Sequence, residues 1–515
     1  MATCTRISLR KLRIYQISDE ISGNFICGMM VFTPWAFGTT QPWAIWTMNI
    51  AAYSLGILWG VKSAIRYSTG YRPARWDRKD VVVQTPEARL SRTLTRGLMT
   101  MTGLLLVYCL INVLNARSTY HPEIVSFEYF PFISWLPASH DRAASLKSFF
   151  SYLALALSFW AVHDWLAVKS PTEERAERQL SKETRAAFAP VPYARLRKLL
   201  WVLTISGGLL GIEGIVQRLS NTPDLLFLMP TYNNQAAEDQ FGPYAYRANA
   251  AQYLNLAWPV CLGFWWMRQR ARARSFSGKE RRPGKNDIIL GAVAIMAACP
   301  MISSSRVGAL VDLIQITLAS FILLSAGNRA HAGQGRKGIL IFLVISLSLG
   351  IFLGWSKLSP RIDSTTFQKD LEARNTMYDM ARPMARDYPL YGTGPGSFES
   401  VFQLYRIDPD EFWPAQLHND WLETRITFGW VGCGLIGFSL LCALVRWFIP
   451  TGIPLRRYFA MLIWVAIGGC LMYARYDFPF QIYSILFLFV MLCSILFSIS
   501  GKPGKLPLSN QKPFI

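Results

Sequence analysis

Three stretches of the 515-residue chain carry residue types that could do chemistry. Leu417-His418-Asn419-Asp420-Trp421-Leu422-Glu423 holds a histidine, and an imidazole with an ordinary pKa near 6.5 suits the removal of a proton from a hydroxyl. Asp420 and Glu423 are spaced as a helix N-cap and its partner three residues on, so the predicted helix starts at Asp420 with His418 just ahead of its positive end. Arginines accompany the histidine. Arg247 follows Phe241-Gly242-Pro243-Tyr244-Ala245-Tyr246 and precedes Ala248-Asn249, and Arg306 sits in the turn Ser303-Ser304-Ser305-Arg306-Val307-Gly308. Arg374, Arg382 and Arg386 lead into Asp387-Tyr388-Pro389-Leu390-Tyr391-Gly392-Thr393-Gly394-Pro395-Gly396-Ser397-Phe398. A guanidinium stays charged and grips two anionic oxygens at once, which a lysine does less well. The competing reading is that these arginines snorkel to lipid headgroups and that the histidine merely pairs with an acid. The Gly392–Gly396 run has the look of a phosphate cradle but lacks a following Lys-Ser/Thr pair, which favours a tight turn.

Apolar elements must position these residues. Apolar residues make up 52% of the chain and charged ones only 17%, and the apolar ones recur in uncharged runs long enough for a bilayer. Twelve spans are expected, near residues 22–38, 42–61, 98–114, 148–167, 199–216, 250–267, 287–303, 306–326, 339–356, 425–445, 458–473 and 481–500. The runs are continuous rather than alternating, so the expected fold is an all-α polytopic membrane protein. Glu213 and Asp312 lie inside such runs, where each either orients an arginine or pairs with other helices.

A net charge of +21 suggests nucleic acid only if the cations share a face, and here they lie between the apolar runs. With a cytoplasmic N-terminus, 38 of the 53 Lys and Arg fall in inner segments. Both termini are then cytoplasmic, the basic loops face anionic membrane lipids, and the partners include no nucleic acid. The three stretches face outward, whereas His163-Asp164 lies on the inner side. The nine cysteines fall in spans or inside, so no disulfide is expected. Three parts follow: residues 1–356 with nine spans, an outer loop 357–424 of catalytic character, and residues 425–515 with three spans and a tail. Phe367, Tyr378, Tyr388, Tyr391, Phe398, Phe402, Tyr405, Phe412 and Trp413 give the loop enough apolar surface for a small helical cap.

In order and type, the stretches between roughly residues 205 and 435 resemble the O-antigen ligase and polymerase superfamily of bacterial envelope glycosyltransferases. Phe241-Gly242-Pro243 with Arg247 and Asn249, Ser305-Arg306 with Gly308, Pro389 through Phe398, and His418-Asn419-Asp420 with Leu422-Glu423 carry the likeness. Val307 and Ala248-Asn249 depart from the commonest pattern. The resemblance implies a GT-C-like fold in the bacterial inner membrane. It also implies metal-independent, inverting transfer of a glycan from a polyprenyl-diphosphate-linked donor to the hydroxyl of a glycolipid, glycan or protein acceptor. No cofactor is expected, and no Cys-x-x-Cys or His-x-x-x-His pattern points to metal. His418 is then the base, and Arg247, Arg306, Arg374, Arg382, Arg386 and Asn419 hold substrate. Ligase, polymerase and protein O-glycosylating enzyme remain alternatives, and a secondary transporter is the rival class, since twelve spans with both ends inside is a common transporter layout.

Overall fold

The computed structural model describes residues 8–76, 86–170, 172–175, 193–231, 236–274, 285–325, 332–362, 364–407, 414–449, 453–454 and 457–500. It is built from helices α1 (Leu9–Trp35), α2 (Pro42–Thr69), α3 (Pro86–Leu114), α4 (Arg142–Ala167), α5 (Ala194–Ser220), α6 (Arg247–Arg274) and α7 (Lys285–Ile302). The order continues with α8 (Arg306–Ser325), α9 (Ala332–Ile362), α10 (Ser364–Asp387), α11 (Phe398–Phe402), α12 (Asp420–Val445), α13 (Arg457–Tyr473) and α14 (Tyr483–Ser498). Every expected span falls on a helix. Small exceptions to the all-helical expectation are an antiparallel hairpin, Ser118–His121 with Ser126–Tyr129, and a two-residue parallel pairing of Ile453–Pro454 with Ile499–Ser500.

Among the described residues seven helices, α2, α3, α4, α5, α8, α9 and α12, are long and apolar enough to cross a membrane, and α7, α13 and α14 contain shorter apolar helices. The chain is a polytopic, mainly helical membrane protein. The central helix α6 is less apolar for a physical reason. It is enclosed by protein: Tyr253, Leu254, Trp258, Leu262 and Phe264 are fully buried, and so are the polar Gln252 and Asn255. A helix that never meets lipid need not be apolar on every face.

The expected outer loop is a small cap. Tyr378, Ala381 and Met384 of α10 pack on Phe398, Val401 and Phe402 of α11, with Leu417 and Ile426 closing the cluster and Tyr405 at its rim. Phe412 and Trp413 lie outside the described residues, as does the side chain of Phe367. The glycine run docks this cap to the bundle. Gly392, Gly394 and Gly396 all have positive φ, and a Cβ on Gly394 would fall 2.5 Å from Ser139 Oγ. The Thr393 and Gly394 amides donate to the Ile426 and Thr427 carbonyls, and the Gly392 amide donates to Tyr388. With those N–H groups engaged by protein, the run is a docking turn and not a phosphate cradle. On the far side of the turn, α12 breaks at Gly429 (φ 59°, ψ −170°), and the Trp430 and Val431 amides donate to Pro389 and Leu390. The eight cysteines among the described residues are free thiols, and Cys4 lies outside them.

Candidate active site

His418 occupies the last turn before α12 with φ +55°, in the left-handed region that costs a side-chain-bearing residue about 1 kcal/mol. Two contacts hold it there. The Tyr378 hydroxyl of α10 donates to the His418 carbonyl at 2.8 Å, and Nδ1 of the ring lies 2.8 Å from Oδ1 of Asp477. A carboxylate only accepts, so Nδ1 carries a proton, and in the neutral ring Nε2 presents its lone pair. The ring stands edge-on to Phe478, at 4.7 Å between centroids, and its side chain is 25% exposed, whereas that of Asp477 is 3% exposed. The result is a fixed imidazole with one nitrogen turned away from its buried acid.

The turn that brings Asp477 to His418 is itself tied down. Asp420 is buried at the first position of α12, and its carboxylate accepts from the Phe480 amide at 2.7 Å and from Gln481 Nε2 at 3.0 Å. Its own amide donates to the Ala474 carbonyl. Asp420 is therefore not the N-cap that its spacing predicts. That role belongs to Asn419, whose Oδ1 accepts from the Leu422 amide at 3.2 Å, while Glu423 accepts from the Leu417 amide at 2.8 Å. Behind Asp477, the Tyr473 hydroxyl lies 3.4 Å from Oδ2, 3.2 Å from the Ala248 carbonyl and 3.3 Å from Ser305 Oγ. The 241–254 and 303–308 stretches thus meet the His418 turn through the end of α13.

Arg374 is the sequence-predicted cation nearest this pair. It donates to the Tyr476 carbonyl at 2.6 Å. Burial works against its charge, but Asp477 and the surrounding tyrosines hold the guanidinium above its ordinary value. Tyr246 stacks on Phe478, with centroids 5.7 Å apart and planes 9° from parallel. Burial first and Asp477 second raise its phenol, so it stays a hydrogen-bond donor, and Arg374, Arg247 and Arg361 all act on it electrostatically. Tyr246 therefore lies between the His418 pair and a second group of cations.

In that second group, Arg247 is buried and donates to the Glu238 carbonyl at 2.6 Å and to Asp239 at 2.7 Å. Arg306 donates to the Arg361 carbonyl at 3.1 Å and pairs with Asp370 of α10. Arg361 lies within electrostatic reach of both arginines and of Asp239 and Asp370. Arg218 of α5 donates to the carbonyls of Ala237, Gln240 and Ser303. Lys357 pairs with Glu238 and holds its carboxyl below the ordinary value. Arg382 pairs with Asp379 on an exposed face of α10, and Arg386 is exposed; the cluster does not include them. Glu213 and Asp312 orient no arginine: Asp312 is buried, Glu213 is half-buried with both carboxylate oxygens enclosed, and neither forms an ion pair among the described residues.

Asp477, Tyr473, Arg361 and Arg218 are absent from the sequence reading. One signal existed for Asp477: a charged Arg475-Tyr476-Asp477 step in a short turn between two apolar helices. Among the described residues no group of three or more His, Cys, Asp or Glu is placed to hold a metal ion.

Residues 291–437, from α7 into α12, match the family described as O-antigen ligase, which supports the resemblance to the O-antigen ligase superfamily. The match includes Arg306, Arg374 and His418 and stops short of Asp477. A further likeness is to the MFS transporter cpaT of Aspergillus oryzae, at 34% identity over 110 residues. It takes in 21% of this chain, and the chain spans about a fifth (19%) of that relative's length. No solved structure matches the chain.

Proposed function

We propose that the protein transfers a glycan from a polyprenyl-diphosphate-linked donor to an acceptor hydroxyl, by a single inverting displacement at the outer face of the bacterial inner membrane. The pairing of His418 with buried Asp477 beside Arg374 carries this reading. Nε2 of His418 takes the acceptor proton as the acceptor oxygen attacks the anomeric carbon, and Asp477 stabilises the imidazolium so formed. The bond from the anomeric carbon to phosphate breaks, and polyprenyl diphosphate leaves. Arg374, with Arg247, Arg306 and Arg361, meets the charge that develops on the departing oxygens, the work a metal ion does elsewhere. Arg382 and Arg386, exposed on α10, bind outlying parts of the glycan, whereas Asn419, expected to hold substrate, is buried at the cap of α12 and fixes the turn that carries His418. In this reading the chain crosses twelve times with both termini cytoplasmic, supported by the 38 of 53 Lys and Arg in the inner segments; the site then faces the side where lipid-linked glycan is displayed, and the inner basic loops face anionic lipid.

The transporter likeness supports a second reading, in which the helices carry a solute or glycolipid across the bilayer. One assay separates the two. Purified protein in detergent, with no closed compartment, turns over lipid-linked glycan if it is a transferase, and it does so in EDTA. His418→Ala then loses 10²- to 10⁴-fold in rate while remaining folded by size exclusion. Full activity in that variant, or activity that disappears in EDTA and returns with Mg²⁺, overturns the proposed mechanism.

A further inference from the structure

At the end of the bundle remote from His418, α1, α2, α4 and α5 enclose a second ionic centre. Lys62 of α2 is fully buried and lies 3.2 Å from Asp19 of α1 and 3.1 Å from Asp164 of α4. Arg66 and Arg75 also pair with Asp164, at 2.6 and 2.9 Å, and Arg195 of α5 pairs with Asp19 at 2.6 Å. Helix α5 fixes the separation. It carries Arg195 here and Arg218 among the cations of the other end, roughly 35 Å away at 1.5 Å per residue.

The centre opens into a cavity of about 490 Å³ lined by Ser63, Arg66, Tyr67, Tyr71, Arg72, Arg75 and Asp164, with Gly70. Its outer wall is the segment after α2, strapped to the end of α4 by the Arg75–Val168 bridge and by the Trp76 and Lys169 amides on the Ala167 and Ala74 carbonyls. Three arginines line the cavity against a single carboxylate, and Asp164 already serves Lys62, Arg66 and Arg75. Counting the whole centre, Lys62, Arg66, Arg72, Arg75 and Arg195 face Asp19, Asp164 and Glu174, the last acting at longer range on Tyr71. Among the described residues, five cations meet three carboxylates. A structural ion network needs no such excess, and cations that only snorkel do not gather around one open pocket.

We infer that this cavity binds a phosphoryl anion, either the headgroup phosphate of an anionic lipid or free phosphate. The positive wall and the Ser63 and tyrosine hydroxyls suit a phosphate carrying one or two negative charges. The expected orientation puts it at the cytoplasmic leaflet. The site is independent of the proposed transfer reaction.

Native mass spectrometry of the full chain in detergent tests it, with phosphatidylglycerol, phosphatidylcholine and inorganic phosphate as probes. Phosphatidylglycerol should be retained at least tenfold more tightly than phosphatidylcholine. Arg72→Gln, at an exposed lining position, and Arg66→Gln should each lower that retention tenfold or more. Lys147→Gln, at the opposite end of α4, should leave it unchanged. Inorganic phosphate that displaces the lipid identifies a site for the bare anion, and phosphate that does not identifies a headgroup site. Equal retention of the two lipids without phosphate binding overturns the inference. So does unchanged retention in both arginine variants, or an equal loss in Lys147→Gln.

Discussion

Asp477→Asn isolates what the buried acid does for His418. The substitution keeps the shape of the side chain and removes its charge, 2.8 Å from Nδ1. An amide can still accept from Nδ1–H through its oxygen, so the ring keeps its place, but nothing then offsets the positive charge that the ring acquires on taking a proton. Asp477 is almost fully buried, so water cannot supply that charge. A hydrogen bond to a charged group contributes about 1.5 to 3 kcal/mol. At about 1.4 kcal/mol per decade, kcat falls roughly 10- to 150-fold. The KM for lipid-linked donor stays within about threefold, because Arg374 keeps its bond to the Tyr476 carbonyl. The assay is initial-rate transfer in detergent over a range of donor concentrations, beside thermal unfolding to verify the fold. An unchanged kcat would show that His418 needs no acid and takes no proton. A raised KM at constant kcat would mean that Asp477 acts on the donor through Arg374, and the base assignment would fail.

Arg306→Ala should stay folded and lose tenfold or more in kcat/KM, with Arg306→Lys recovering only part, since the fork is lost; equal activity of all three proteins removes Arg306 from the donor site. His140 gives a pH signature in stability. Burial, then Arg117, lowers its imidazole from 6.5 to about 4, so below pH 6.5 the unfolded chain binds a proton that the folded chain refuses. Up to about 3 kcal/mol of stability, fully present above pH 6.5, is then lost as pH falls toward 4, a Tm drop that His140→Gln should abolish. Gly394→Ala forces a side chain to φ +104° against Ser139, and a loss of roughly 1 to 3 kcal/mol should show in the Tm. For topology, Cys in place of exposed Glu399 should react with a membrane-impermeant thiol reagent and Cys in place of Glu87 should not; the reverse pattern would move the site to the cytoplasm.

Local chemistry made much of this legible and topology hid the rest. Continuous uncharged runs mark helices because only helices and closed barrels satisfy a backbone in hydrocarbon; Arg306 stands out in a short polar turn between such runs, and His418 in the motif at the end of the long loop. Asp477 is 59 positions beyond His418, and nothing in Arg475-Tyr476-Asp477 announces a partner in another loop. The Asp420–Glu423 spacing pointed to a cap at the correct helix start but one residue late, because Asp420 turns instead to the Phe480 amide and Gln481. Gly392–Gly396 reads as a turn from its glycines and proline. Where it docks does not follow from spacing, since Gly429 looks like any small residue in an apolar run.

The break at Gly429 changes which parts of the chain open together. The amides that an unbroken helix would bond within itself, those of Trp430 and Val431, answer instead to Pro389 and Leu390, and the Thr393 and Gly394 amides answer to Ile426 and Thr427. None of these bonds survives if either partner strand of the exchange leaves. Residues 389–394 and 420–431 are therefore expected to open as one cooperative unit, with amide hydrogens that should exchange with solvent at a common rate, apart from the part of α12 beyond Gly429. His418 stands at the edge of that unit, so the slowest exchanging amides around it report the free energy of lifting the cap off the bundle.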